Sequence, residues 1–394
     1  MPGAYIRKIW RHDPALYAPA RYRRGCSYDA FVPGRLAELA VDLSGDVAGI
    51  LSDAENAIAH LNGGAGPELA PLARLLLRTE SIASSKVEGM QSDARTLARA
   101  EANRDTGRSI GRQAAEIIAN IDAMEWAVEE AAGAERITPR GLRDIHSILL
   151  ADDEWQKPGE FRNEQNWVGG NDYNPCGADF VPPPPEEVAA LIDDLCAFCN
   201  DDELPPLLQA AIAHAQFETI HPFGDGNGRT GRALVQVVLR RRSLAPAFVP
   251  PISVVLARQR ERYIEGLTLF REDRLTEWVT IFASAATRAA ALADNYRGRV
   301  ADLQDVWRER LGAHSNPRAD ATPWAVIGVL PAHPVVTVAV GAAATGRTRP
   351  AVNNAILALE DASVLIPLGT SKRNRAWEAD GLLDLIAGLE AGER

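Results

Sequence analysis

A chain of 394 residues, 46% hydrophobic and 24% charged with 6% aromatic, can bury a sizeable core in two or three mainly helical units, and this composition excludes disordered and fibrous classes. With 42 basic and 53 acidic side chains the net charge is −11, so the surface as a whole repels polyanions and any nucleic-acid contact needs a local basic patch. No apolar run approaches a membrane span, Met1 to His12 lacks an apolar signal core, and four cysteines (Cys26, Cys176, Cys196, Cys199) make no disulfide framework; a cytoplasmic protein with reduced thiols and no membrane partner is expected.

Residues 1 to about 30 are rich in Arg, Tyr and Pro without a period, and an irregular arm is expected there. Helical spacing begins after Pro33 with Leu36, Leu39 and Leu43, and resumes with Leu69, Leu72, Leu75 and Leu76 beyond the breaker Gly63-Gly64-Ala65-Gly66-Pro67. A helix follows from Ser109 to Ala132, and Thr138-Pro139 reads as an N-cap with proline at the first helical position. Between Gly159 and Pro185 the helical rhythm breaks. Asn166-Trp167-Val168 and Asp179-Phe180-Val181, about Gly169-Gly170-Asn171-Asp172, predict a β-hairpin flap. Glu186 and Glu187 then sit in the first turn of a helix reaching about Phe198, where the helix dipole favours acids.

Helices from about Pro206 to Ile220 and from about Arg229 to Arg242 enclose the loop His221-Pro222-Phe223-Gly224-Asp225-Gly226-Asn227-Gly228, which runs on into Arg229-Thr230-Gly231-Arg232. One histidine, one carboxylate, four glycines and two arginines within twelve residues describe a polyphosphate site. Gly226 and Gly228 can take positive φ and let N–H groups reach an anion, and the following helix points its free N–H groups at the same place. Arg229 and Arg232, three apart, can fork onto phosphate oxygens, and Asp225 adds a hard oxygen for Mg²⁺. His221 is the one group there that ordinarily titrates near neutrality, which makes it the candidate general base. The span Gly226 to Gly231 also fits a dinucleotide fingerprint, but the preceding residues are helical and offer no strand; a Walker loop would need the lysine that Gly228-Arg229-Thr230 lacks.

His221-x-Phe223-x-Asp225-Gly226-Asn227-Gly228-Arg229-x-x-Arg232 resembles the core motif of the Fic family at every fixed position, and the resemblance extends to Gly159-x-Phe161-Arg162 and to Phe180-Val181-Pro182. It implies a mainly α, Fic-type helical bundle with a small β-hairpin flap, and transfer of AMP from ATP, with Mg²⁺, to a Tyr, Thr or Ser hydroxyl of a protein, itself included. By that resemblance His221 is the base, Asp225 the metal ligand, Gly226 to Arg229 the phosphate cradle continued by Thr230 and Gly231, and Arg232 the clamp on the γ-phosphate. Phe223 is the buried anchor, and the flap carrying Val168, Gly169, Phe180 and Val181 docks the target by backbone pairing. Tyr263 is a candidate contact near the adenine.

Ser84-Ser85-Lys86-Val87-Glu88-Gly89 is similar to the inhibitory motif of the family's members with an N-terminal inhibitory helix, Ser84, Glu88 and Gly89 being the matching positions. The resemblance implies a carboxylate that pairs with Arg232 and excludes productive ATP, and in some relatives the same Glu helps water remove AMP. By itself the pattern is equally a helix end, with Gly89 as terminator. His146, His214 and the Cys196-x-x-Cys199 pair read as structural, since neither a second CxxC nor a His pair completes a zinc site.

Gly312 to Pro317 reads as a linker. Beyond Thr322 come a helix from Trp324 to Leu330, a helical pair from Val335 to Leu359, and the runs Val364–Leu368 and Arg375–Trp377 flanking a basic turn; the order resembles a winged helix. Arg347 and Arg349 could face a DNA groove, with Lys372, Arg373 and Arg375 on the wing reaching phosphates, or the domain could serve protein contacts and a homodimer. The expected regions are 1–105 with the inhibitory motif, 106–311 as the catalytic domain, and 320–394 as the winged helix. The competing readings are a nucleotide-sensing, DNA-binding regulator and a Fic enzyme using another donor such as UTP.

Overall fold

The computed structural model describes residues 3–15, 17–63, 69–105, 107–153, 157–368 and 375–391. Two antiparallel strands, β1 (Ala4–Trp10) and β2 (Cys26–Val32), come first. The helices α1 (Gly45–Asn62), α2 (Ala70–Val87), α3 (Ala94–Asp105) and α4 (Arg112–Trp126) follow, α4 running on into a π turn, Ala127–Ala131. Next are α5 (Pro139–Leu149), α6 (Pro185–Cys199), α7 (Pro206–Ile220), α8 (Asn227–Arg241), α9 (Ile252–Arg258), α10 (Arg260–Arg271) and α11 (Leu275–His314). The chain closes with α12 (Thr322–Val329), β3 (Val335–Thr337), α13 (Val338–Thr345), α14 (Arg349–Asp361), β4 (Leu365–Pro367), β5 (Ala376–Ala379) and α15 (Leu382–Ala391). The fold is mainly helical, and among the described residues no helix is long and apolar enough to cross a membrane.

These elements form two compact units. The first comprises Met1–Asp53, Trp126–Ser243 and Arg260–Ser284; the second comprises Ala54–Glu125, Leu244–Gln259 and Ala285–Arg394.

The first unit is built around α7. Every residue from Leu207 to Ile220 is buried, so α7 is a central helix covered on all sides rather than an amphipathic one. Its polar side chains are therefore paired inside the fold: Gln209 donates to the Phe198 carbonyl at 2.8 Å, His214 meets the Tyr263 hydroxyl at 2.9 Å, and Gln216 donates to the Gly34 carbonyl at 3.0 Å. The indole of Trp278 donates to the Ala211 carbonyl at 2.9 Å and closes the core on that face.

The sequence predicts an irregular arm over the first 30 residues; instead Ala4–Trp10 pairs with Cys26–Val32 in a seven-pair ribbon. Both faces of that ribbon are largely exposed, so no alternating apolar pattern marks it. The helix expected from Leu36, Leu39 and Leu43 is only a 3₁₀ turn, Leu36–Glu38. The expectation of four reduced thiols is also overturned: Cys26 and Cys176 form a disulfide across 150 residues, while Cys196 and Cys199 stay free and buried in α6. Burial pushes the Cys196 thiol up to about 12 and the Cys199 thiol up as well, which leaves both unreactive. The flap is smaller than a hairpin of two strands, its pairing being one antiparallel bridge between Val168 and Phe180.

In the second unit, α2 carries a buried Glu80 whose carboxylate accepts from the Ser253 N–H at 2.8 Å and the Ser253 hydroxyl at 2.6 Å, satisfying the start of α9. Ser84 and Ser85 are buried, Asn120 donates to the Ser81 carbonyl and the Ser85 hydroxyl, and Glu88 caps the exposed end of the helix ahead of Gly89 at φ +84°. Lys86 pairs with Glu390 of α15. At the C-terminal end, β3, β5 and β4 form an antiparallel sheet in that order, with α12, α13 and α14 packed against one another. Val335–Thr337, expected as helix, is the first of these strands.

Candidate active site

The loop is framed by two residues in left-handed conformation. His221 ends α7 at φ 50°, ψ 59°, its N–H donating to the Phe217 carbonyl at 2.8 Å, and Gly226 opens α8 at φ +73°. A non-glycine residue at such a φ is uncommon and needs surroundings that hold it there. Arg162 supplies them: its buried guanidinium donates to the carbonyls of Ile220, His221, Glu164 and Pro183, and its own N–H donates to the Pro222 carbonyl at 2.9 Å. Burial pulls the Arg162 pKa down to about 10, and the group is still charged at neutral pH.

The middle of the loop is held from the core. Phe223 is fully buried, its N–H donates to the Asn227 side-chain oxygen at 2.8 Å, and the Asn227 amide returns a bond to the Phe223 carbonyl at 2.9 Å. The Phe223 ring lies flat on His146, with centroids 3.7 Å apart and planes 3° from parallel. His146 accepts from the Gly159 N–H at Nδ1 (2.9 Å), so its proton sits on Nε2, which donates to the Asp225 carbonyl at 3.0 Å. Burial lowers its pKa to about 4, and the imidazole is neutral in the fold. Gly226 passes so close that a Cβ there would lie 3.0 Å from Leu149 and 3.5 Å from His146.

Asp225 projects with its side chain 53% exposed, and Arg229, one turn into α8, reaches it at 3.5 Å. The Arg229 side chain is 3% exposed, and its Nε and Nη1 have no hydrogen-bond partner among the described residues. Asn227, Thr230, Gly231 and Arg232 are buried and Gly228 is half-buried on the same turns. Gly231 is where α8 crosses α7: a Cβ would stand 2.4 Å from a Glu218 carboxylate oxygen and 3.0 Å from Phe217. Tyr263, read from the sequence as an adenine contact, lies in the core with 4% exposure, its hydroxyl bonded to His214.

The flap adjoins the loop through Asn166, whose amide donates to the carbonyls of Phe223 (2.9 Å) and His221 (3.4 Å). Val168, 40% exposed, exchanges bonds with Phe180 and accepts from the Asp179 N–H; Gly169 sits at φ +75°, a conformation that favours glycine, and a Cβ there would also meet the Asp179 side chain. Val181 accepts from the Phe31 N–H of β2 at 2.9 Å.

Ser84, Glu88 and Gly89 stand at the end of α2 in the second unit. At the C-terminal end, Arg347 and Arg349 are exposed around the first turn of α14, whereas Arg375 is paired with Glu360 at 2.9 Å and lies over the Trp377 ring. Lys372 and Arg373 lie outside the described residues.

The positioning roles of Arg162 and His146 are not evident from residue type. Arg162 was visible only through Gly159-x-Phe161-Arg162, and His146 only as a polar residue inside an apolar helical run.

Residues 136–239 match the Fic/DOC family, and residues 49–129 match the Fic/DOC family N-terminal region. A protein adenylyltransferase Fic of Drosophila virilis is 29% identical over 212 residues, covering 52% of this chain and 40% of that protein. The match thus spans less than half the length of that relative. Among solved structures, a Fic family protein from Desulfovibrio desulfuricans G20 shares the fold with a TM-score of 0.54 at 20% identity, over 86% of this chain and 98% of that one. A Fic domain-containing signaling protein from Bacteroides thetaiotaomicron does so with a TM-score of 0.51 at 23% identity, over 62% and 95% of the two chains.

Proposed function

We propose, from the match of residues 136–239 to the Fic/DOC family and of residues 49–129 to that family's N-terminal region, that this chain transfers AMP from ATP to a Tyr, Thr or Ser hydroxyl of a protein, itself included. The observation that carries the proposal is Arg229: a buried guanidinium at the first turn of a helix, with two N–H positions left without partners among the described residues. Such groups call for an acceptor, and the phosphate oxygens of a nucleotide, met also by the free N–H groups opening α8, provide it.

In this reading Gly226, Asn227 and Gly228 bring backbone N–H groups up to the phosphates, Arg229 and Arg232 hold the β- and γ-phosphates, and Thr230 and Gly231 keep α8 against α7. The flap aligns the acceptor segment by backbone pairing along Val168 and Gly169. His221 takes the proton as the acceptor oxygen bonds to the α-phosphorus; the bond from that phosphorus to the β-phosphate oxygen breaks, and pyrophosphate leaves. Asp225, an exposed hard donor beside the cradle, would hold Mg²⁺ together with phosphate oxygens, and the ion when bound neutralises charge on the leaving group. The proposed restraint by Glu88 rests on the Ser84 to Gly89 motif and on its position at the exposed end of α2.

The test is to incubate the Glu88→Gly protein with α-labelled ATP, Mg²⁺ and cell lysate. Label on protein is expected above the wild-type level, and His221→Ala lowers it by roughly 10² to 10⁴. Label from α-labelled UTP alone would instead assign another donor. Equal labelling by wild type and Glu88→Gly removes the inhibitory role.

A second reading, that the C-terminal elements form a winged helix that binds DNA, is favoured by Arg347, Arg349, Asn353 and Asn354, all exposed along the start of α14. Duplex binding that weakens with salt and with Arg349→Ala supports it.

A further inference from the structure

The flap has turn bonds of its own around Asn171 and Asn174 but little strand pairing. Its pairing is one bridge, between Val168 and Phe180, and two successive glycines, Gly169 and Gly170, both at φ +75°, follow at once. Isolated two-stranded pairings are marginal in water even when several residues long, so a single bridge needs outside support. The N-terminal ribbon supplies that support at both ends of the flap. At the base, the Phe31 N–H of β2 donates to the Val181 carbonyl at 2.9 Å. At the tip, the Asn174 amide donates to the Tyr22 carbonyl at 2.8 Å, Tyr22 stacks on Tyr173 with centroids 5.1 Å apart, and Cys26 is bonded to Cys176. The phosphate cradle has its own supports in Asn227, His146 and Arg162, and among the described residues the flap touches it only at the flap's base, through Asn166 and Arg162.

We infer that Tyr22, Cys26 and Phe31 are positioning residues for the flap, and that the Cys26–Cys176 bond sets how firmly the flap holds a protein acceptor without changing the hold on nucleotide. The second half of the inference rests on the transferase reading; the first does not. A chain tie across 150 residues restricts the flap tip to the neighbourhood of β2 whether or not the weaker contacts are made at a given instant. Both cysteines are half-buried, within reach of a small dithiol. One thiolate of the reagent attacks a disulfide sulfur, its second thiol closes the reagent's own disulfide, and the two electrons it gives up, with two protons, leave Cys26 and Cys176 as thiols. The contacts of Phe31 with Val181 and Phe180 and of Tyr22 with Asn174 and Tyr173 then remain, and the flap opens more often.

Hydrogen exchange on the full chain tests this directly, with wild type before and after dithiothreitol and with a Cys26→Ser, Cys176→Ser double variant. Peptides spanning 165–182 are expected to exchange at least about tenfold faster after reduction, and equally fast in the double variant with or without the dithiol, while 223–232 is unchanged. In parallel, labelling of lysate proteins from α-labelled ATP is expected to fall on reduction with the KM for ATP unaltered. Equal flap exchange in oxidised and reduced protein overturns the inference, as does alkylation of Cys26 and Cys176 in the purified protein without reductant. A fall in nucleotide affinity equal to the fall in labelling overturns its second half. If no protein is labelled under any condition, the transferase reading fails while the exchange result still decides the role of the ribbon.

Discussion

Replacing His146 with Phe isolates its two hydrogen bonds from its stacking. Phe keeps a flat ring against Phe223 but offers nothing to the Gly159 N–H, which is buried, or to the Asp225 carbonyl, which belongs to an exposed residue that water reaches. The cost is therefore mainly that of one orphaned buried donor, about 1–3 kcal/mol, with little added by Asp225. His146→Ala also removes a ring that is 1% exposed, and the cavity brings its total to about 3–5 kcal/mol. Urea unfolding reads both values as shifts of the midpoint at constant slope. Label transfer from ATP is expected to fall further than folding explains, because the turn presenting the Asp225 carboxylate loses its tie. A His146→Phe protein as stable and as active as wild type would refute this assignment of the ring's two nitrogens.

Three further outcomes are expected. Gly231→Ala places a Cβ against Glu218 and Phe217, and overpacking between α7 and α8 is expected to cost about 1–3 kcal/mol, read by the same urea midpoint; a neutral effect would show that the Glu218 side chain swings aside at no cost. His146 and His333 are both held near a pKa of about 4 by burial, against an ordinary 6.5. The neutral ring is thus favoured in the fold, and each histidine's contribution is complete above pH 6.5 and lost as pH falls toward 4, on the order of 3 kcal/mol apiece. His146→Phe should accordingly flatten the dependence of unfolding free energy on pH across that window, and an unchanged slope would contradict the burial argument. Arg162→Ala frees four carbonyls around His221 and is expected to lower labelling by at least about tenfold at saturating ATP, with thermal scans and nucleotide titration separating that loss from unfolding.

The helices around the loop were legible because their signals are local. Thr138 caps α5 by accepting from the Gly141 N–H at 3.1 Å, Pro185 and the acids Glu186 and Glu187 open α6, and α7 and α8 start within two residues of their expected positions. What escaped depends on partners distant in sequence. Ala4–Trp10 finds its partner 22 residues on average along the chain and buries neither face fully, and Cys26 finds Cys176 across 150 residues. Leu36, Leu39 and Leu43 have helical spacing, yet the run between Pro33 and Gly45 is too short to repay helix nucleation, and a 3₁₀ turn results. In the loop, residue types announced a phosphate site, whereas the hold on it by Arg162 and His146 is a property of the packed fold.

Titration of ATP with Mg²⁺ into Glu88→Gly and into Glu88→Gly/Arg229→Gln by calorimetry addresses most directly whether this turn binds a nucleotide's phosphates. Losing a buried, charge-assisted contact is expected to weaken affinity about 10- to 100-fold. Equal affinity in the two proteins would mean that the buried, unpartnered donors of Arg229 serve something other than a nucleotide.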